Sequence, residues 1–358
     1  MVDIKLIEDL TTAFGPSGFE DQLVEILKNY LQDFQLEVDP MSNLYASFKD
    51  QAKKEFTIQL DAHTDEVGFM VQSINDNGTM NFVGLGGWLP TNIPAHLVAI
   101  KKKNGDLVEG ITGSTPPHFM AKEDRDKALT IESMFIDVGA RSRQELIEDF
   151  GIEVGAPISP LVDFNFNEEK GLLRGKAFDN RLGCACIVET MKRLKDSTDL
   201  NLNVVGAFAS QEEVGMRGAK ITSQRIKPDL AIVFEGSPAD DLYFPKNLAQ
   251  GALGQGVQIR HLDQSYIGNV DFINLAKTIA CDQGIKYQSA VRRAGSTNAG
   301  AIHLSEKGVP VLVLGIPSRY VHSHYNFALV EDFEATVNLA VKVIEALDQA
   351  AIKKILKK

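Results

Sequence analysis

The chain is poor in cysteine, with only Cys184, Cys186 and Cys281 in 358 residues. A sparse, odd count excludes a disulfide framework and fits a reducing compartment, so the expectation is a cytoplasmic protein. Cys184 and Cys186 fall in an apolar helix-like run, which predicts core positions rather than a metal site. No run of ~18 apolar residues is present to span a bilayer, and Met1-Val2-Asp3-Ile4-Lys5 lacks the basic-then-apolar pattern of a signal peptide. Positive charge is also short. Lys and Arg number 37 against 48 Asp and Glu, a net charge of −11. That balance argues against nucleic acid or an anionic membrane as the main partner, since both need a basic footprint. There is no low-complexity segment, and 44% hydrophobic residues are enough for a sizeable core.

Some chemical signatures are missing as well. No His-Glu-x-x-His occurs, which excludes a helix-borne zincin site. Gly295-Ser296-Thr297-Asn298-Ala299-Gly300 lacks the P-loop lysine, and no helix pattern follows Gly84–Gly87, so nucleotide binding has little support.

Periodicity predicts helices over 4–14 and 20–31, with Ser17 as an N-cap and Glu20 completing a capping box. Strands are expected near 35–39, 43–48 and 56–60. Between about 68 and 165, short strand-like pieces alternate with Gly, Pro and Asn, as in Asn77-Gly78 and Asn104-Gly105. This texture predicts a small β-barrel or sandwich, inserted into the chain, with one helix over 142–150. Strands then recur at 171–176, 202–208, 230–234 and 310–315, with helices at 184–194, 216–225, 270–283 and 331–347. Alternating strands and helices imply a mostly parallel sheet covered on both faces. The expected fold class is α/β, a mostly parallel sheet sandwiched by helices, with an inserted small β-barrel. Residues 1–67 and 166–358 would form one discontinuous domain and 68–165 the insert. Lys353-Lys354 and Lys357-Lys358 read as a soluble tail.

Polar residues gather just after the predicted strands. His63 and Asp65 follow 56–60, Asp179 follows 171–176, Glu212 and Glu213 follow 202–208, Glu235 follows 230–234, and His322 comes soon after 310–315. A parallel sheet brings such positions to one edge, where open α/β sheets bind ligands. Taken singly, each has an ordinary alternative. His63 can be a hydrogen-bonded structural histidine, Asp179 a helix N-cap, Glu235 a turn residue, and His322, beside His324, a surface histidine. Two adjacent carboxylates at a strand end are costly to bury without a cation. One divalent-metal centre accounts for all of them at once, since imidazole and carboxylate both suit such ions. Asp65, two residues beyond His63, can accept the second imidazole N–H.

The ordered motifs Asp-Ala-His-Thr-Asp-Glu-Val-Gly-Phe (61–69), Gly-Gly-Trp (86–88), Pro-Pro-His (116–118), Ala-Phe-Asp-Asn-Arg (177–181), Gln-Glu-Glu-Val-Gly-Met-Arg-Gly-Ala (211–219) and Ser-Arg-Tyr-Val-His-Ser (318–323) resemble the tetrahedral aminopeptidases. These are metallopeptidases of the glutamyl and deblocking type. The resemblance implies a zinc-exopeptidase-like α/β domain with two divalent ions: zinc, cobalt or manganese. It implies that Asp179 bridges the ions, that His63 and Glu235 complete one site, and that Glu213 and His322 complete the other. Glu212 would be the general base and Asp65 would orient His63. The insert would be a dimerisation domain, with dimers assembling into a dodecamer, and short peptides with a free N-terminus would be the substrates. In this resemblance Glu235 stands where aspartate is frequent. Asn298 stands where aspartate is more usual, removing a charge near the substrate side. Pro94-Ala95-His96 replaces a commoner Gln-Arg approach to the insert strand. Arg292-Arg293 is either an acidic-residue pocket, favouring a glutamyl preference, or a solvated basic pair. A non-catalytic peptide-binding or assembly protein and a bimetallic N-acyl amino acid deacylase are the competing functions.

Overall fold

The computed structural model describes residues 2–49, 53–124, 127–195, 197 and 200–357. Met1 and Lys358, named in the terminal readings above, lie outside the described residues.

An eight-stranded sheet forms the frame. Its spatial order is Gln35–Val38, Leu44–Ser47, Leu202–Ala209, Phe56–His63, Leu230–Pro238, Val311–Ser318, Val257–Leu262 and Tyr287–Val291. The four middle members, 202–209, 56–63, 230–238 and 311–318, are parallel neighbours. Strands 230–238 and 311–318 are apolar on both faces and read as nearly continuous hydrophobic runs, whereas 56–63 alternates Phe56, Ile58, Leu60 and Ala62 with Thr57, Gln59, Asp61 and His63. Helices Ile4–Thr12, Asp21–Tyr30, Phe178–Leu194, Val270–Asp282 and Val330–Ala346 contribute buried side chains to the same core. Cys184 and Cys186 are fully buried there, as their apolar surroundings predicted.

Within the insert, strands Gly68–Ile74, Met80–Leu85, Met134–Asp137, Leu107–Ser114, Leu97–Lys101 and Pro157–Pro160 close into a barrel. Phe69, Val71, Phe82, Val98, Ile100 and Ile136 are among its core residues. The helix expected over 142–150 is shorter, Arg143–Glu148, with the Ser142 hydroxyl accepting the Glu145 N–H.

Three expectations need correction. The strand expected at 171–176 forms, as Leu172–Gly175, but not in the main sheet. It pairs antiparallel with Asn165–Asn167 and Asn326–Leu329 in a separate three-stranded sheet. The C-terminal segment is not a free tail. Gln349–Ile355 is a helix capped by Asp348, and Ile352 and Ile355 are buried in the core. Ser17 does not cap the second helix. Its hydroxyl instead donates to Asp65 Oδ2 at 2.6 Å, and Glu20, the residue at the cap position, makes no side-chain cap. Among the described residues no helix is long and apolar enough to cross a membrane.

Candidate metal centre

His63 is the last residue of its strand and pairs in register with Ala209, so the loop bearing Glu212 and Glu213 leaves the sheet beside it. On the other side, Asp61 is level with Val233. Two residues further along both strands, His63 and Glu235 therefore share one edge. His322 follows the strand Val311–Ser318 by four residues.

Asp179 arrives by a different route from the one its sequence position suggested. It belongs to the start of the helix Phe178–Leu194, where Asp179 and Asn180 leave helical geometry. Asn180 fastens this turn to the sheet, donating to the Phe234 carbonyl at 2.8 Å and accepting the Gly236 N–H at 3.1 Å. The approach requires glycine at 236, because a Cβ there would lie 2.4 Å from the Phe178 oxygen and 2.6 Å from Asp179 Cα.

The seven predicted site residues converge. His63 Nε2 is 3.0 Å from Asp179 Oδ1 and 3.7 Å from Glu235 Oε1. His322 Nε2 is 3.5 Å from the other Asp179 oxygen, Oδ2, and 3.3 Å from Glu213 Oε2. Asp179 therefore offers one oxygen to each of two groups, His63–Asp179–Glu235 and Asp179–Glu213–His322. Ligands at about 2.1 Å from a tetrahedral ion stand about 3.4 Å from one another, close to these spacings. Glu212 Oε2 stands 3.9 Å from His63 Nε2, at the rim of the first group. Asp65 accepts the Glu212 N–H at 2.8 Å and the Glu213 N–H at 3.1 Å, and its Oδ1 lies 3.4 Å from His63 Nδ1.

The donor set fits a pair of cations. Glu213 Oε1 and Glu235 Oε2 are buried and make no hydrogen bond among the described residues. Burial, then the neighbouring Asp179 carboxylate, pushes Glu235 up to about 8. Burial also raises Glu212 well above the ordinary carboxylate range, with Glu213, Glu235 and Asp65 adding to the effect. Burial opposes charge on His322, yet hydrogen bonds to Asp179 and Glu213 prevail and raise it to about 11. Carboxylates that resist ionising and imidazoles that resist neutralising are what a crowded anionic cage produces, and cations at its centre relieve both.

This cage forms the floor of a cleft of about 1150 Å³. Phe244, Leu248 and Val291 supply apolar wall, and Arg260, Arg292 and Arg293 supply positive charge. Arg292 is held by Asp240 at 2.5 Å, and Arg260 by Asp263 and Ser237. Arg293 is exposed on the wall and makes no ion pair among the described residues. Arg260 went unnoticed in the sequence because its strand was unassigned; an arginine amid Val257, Ile259 and Leu262 was the available signal. Asn298 does not face the substrate side. It is buried, and its amide donates to Asp61 Oδ1 at 2.7 Å.

A second missed cluster lies behind the site. Lys176 Nζ is buried between both Glu66 oxygens, at 2.7 and 2.9 Å, the Ser159 hydroxyl at 2.6 Å and the Ala13 carbonyl at 3.1 Å. Arg181 Nη2 joins Glu66 at 3.4 Å. Ser159 belongs to a barrel strand and Arg181 to a helix on the main sheet, so one buried ionic cluster pins the two layers together.

Residues 42–339 match the family described as M42 glutamyl aminopeptidase. A glutamyl aminopeptidase of Lactococcus lactis is 31% identical over 98% of this chain and 98% of its own. The TET aminopeptidase of a marine sediment thaumarchaeon superposes with a TM-score of 0.94 at 34% identity, covering 98% of this chain and 99% of that one. The TET1 peptidase of Pyrococcus horikoshii, which can assemble into a tetrahedron or a large octahedral shell, gives 0.84 at 27% identity over 95% and 98% of the two chains. With the fold, the cage and this match over most of its length, the chain belongs to the M42 glutamyl aminopeptidase family of peptidases.

Proposed function

We propose that this protein is a dinuclear metallo-aminopeptidase that removes N-terminal residues from short peptides. The observation that carries the reading is Asp179 presenting its two oxygens to two separate histidine–carboxylate groups. In this reading His63, Asp179 and Glu235 hold one divalent ion, and Asp179, Glu213 and His322 the other. Zinc, cobalt and manganese all suit this ligand set. When bound, such ions supply Lewis acidity toward the scissile carbonyl and the attacking water. Glu212 then acts as general base. Its carboxylate takes a proton from the water and passes it to the leaving amine. The Asp65 carboxylate holds the Glu212–Glu213 backbone and the Asp65 main-chain carbonyl meets His63 Nδ1 at 3.1 Å, so one residue fixes the base and one ligand.

A preference for acidic N-terminal residues finds support in Arg293 on the cleft wall, whereas Arg260 is engaged by Asp263 and contributes less. Arg292 is engaged by Asp240 and contributes less. The division into a catalytic part, 1–67 with 166–358, and a dimerisation insert, 68–165, accompanies this function, as does assembly of dimers into a dodecamer in the cytoplasm. The TET1 peptidase's assembly supports the large oligomer. Size determination by light scattering tests it directly.

The deciding experiment uses free-amino and N-acylated aminoacyl chromogenic amides, with protein stripped by chelator and restored with zinc, cobalt or manganese. Metal-restored release from free-amino substrates, best with glutamyl amide, is the expected result. Activity confined to N-acyl substrates would assign a deacylase. No turnover with two ions bound would leave a peptide-binding or assembly protein.

A further inference from the structure

The second ion group depends on a loop with unfavourable backbone. Tyr320 and His322 both have left-handed φ, +63° and +60°. Non-glycine residues hold such angles only where their surroundings over-determine them. Part of that support is local, because Asn326 Nδ2 and the Ser323 hydroxyl both donate to the Tyr320 carbonyl, at 2.6 and 2.7 Å.

The rest comes from the barrel. A continuous run of rings leaves the barrel core and ends two residues from His322. Phe82 meets Phe69 edge-on at 4.9 Å, and Phe69 stacks on Trp88 at 4.7 Å. Trp88 contacts His324 at 5.2 Å, and His324 stacks on His96 at 4.0 Å and 20°. Trp88 Nε1 donates to the Gly68 carbonyl at 3.1 Å, which fixes the indole to the barrel wall. His324 is 1% exposed, so it is an internal packing element rather than a surface histidine.

The backbone before Trp88 passes close to the ligands themselves. A Cβ on Gly87 would lie 3.3 Å from His322 Nδ1. One on Gly86 would lie 3.1 Å from Glu213 Cβ. The turn 86–88 therefore lies against both ligands that accompany Asp179 in the second group.

We propose that Trp88 and the stacked His96–His324 pair are positioning residues that hold His322 in its ligating conformation, so that the barrel completes the second ion site. The inference rests on the two-ion reading above. It also gives a use to His96, which marks a departure from the family pattern, and to the Gly86-Gly87-Trp88 motif.

Zinc titration of the chelator-stripped protein, with bound metal measured directly, tests this. Wild type binds two ions, and His322→Ala loses one of them. Trp88→Ala weakens that same ion by about 10–100-fold and leaves the other unchanged, and Trp88→Phe restores it. A purely structural tryptophan would lower the unfolding temperature without this split between sites. A folded Trp88→Ala that binds both ions as wild type does overturns the proposal. Should Trp88→Ala not fold, His96→Ala at the partly exposed end of the stack decides by the same criterion. A wild type that binds fewer than two ions overturns the two-ion reading itself, and this inference with it.

Discussion

Asp65 accepts the backbone N–H of Glu212 at 2.8 Å, tying the loop of the proposed base to the strand end that carries His63. The same carboxylate receives the Ser17 hydroxyl and the Glu213 N–H. Hydrogen bonds from its neighbours hold Asp65 below the ordinary carboxylate range despite complete burial. Asp65→Asn replaces one acceptor oxygen with a donor facing other donors. The variant is expected to lose about 10–100-fold in kcat with KM little changed. Steady-state kinetics on metal-loaded protein reads this, and a kcat within about twofold of wild type would show the tether is dispensable.

Glu212→Gln keeps shape and removes basicity. Activity should fall by about 10²–10⁴-fold while both ions remain bound. Metal analysis run beside the kinetics separates the possible roles. Loss of an ion along with activity would reassign Glu212 as a ligand.

Lys176→Met should destabilise the protein by about 3–5 kcal/mol, because it leaves Glu66 buried with only the more distant Arg181. Thermal unfolding measures the loss. The double variant Lys176→Met with Glu66→Gln should recover part of it, since the uncompensated charge is then gone. Equal melting for Lys176→Met and wild type would refute the view that this cluster pins barrel to sheet.

Ion binding should strengthen as pH rises. Burial and the Asp179 carboxylate raise Glu235 to about 8, and hydrogen bonds to Asp179 and Glu213 outweigh burial and raise His322 to about 11, so near pH 7 these groups hold protons that an ion must displace. Each displaced proton makes affinity climb about tenfold per pH unit, below the pKa of the group that releases it. Competition titrations against a chromophoric chelator between pH 6 and 8 measure the slope. A flat profile would contradict proton release from these ligands.

Much of the site was legible from local pattern. His63 ends its strand, Glu213 follows the end of Leu202–Ala209 by four residues, and Glu235 directly follows the apolar run Leu230–Phe234, and a parallel sheet puts such positions on one edge. Asp179 reaches the cluster by a route other than a strand end of the main sheet. A run such as Leu172–Gly175 reads as a strand, but nothing local says which sheet it joins, and it joined the small one. Ser17 carried a genuine capping pattern, and a carboxylate 48 residues away won its hydroxyl. Strands Val257–Leu262 and Tyr287–Val291 went unpredicted because Gln258, Arg260 and Gln288 break the apolar run. Arg260 and Gln288 draw on distant partners, Ser237 and the Gly256 carbonyl, alongside the nearby Asp263. Long-range pairing decided each of these cases.

The central claim is two ions on either side of Asp179. The most direct test is anomalous diffraction from crystals of the zinc-loaded protein, recorded on both sides of the zinc absorption edge. The account predicts two peaks about 3.5–4 Å apart, one among His63, Asp179 and Glu235 and the other among Asp179, Glu213 and His322. A single peak, or zinc bound only away from Asp179, would contradict it.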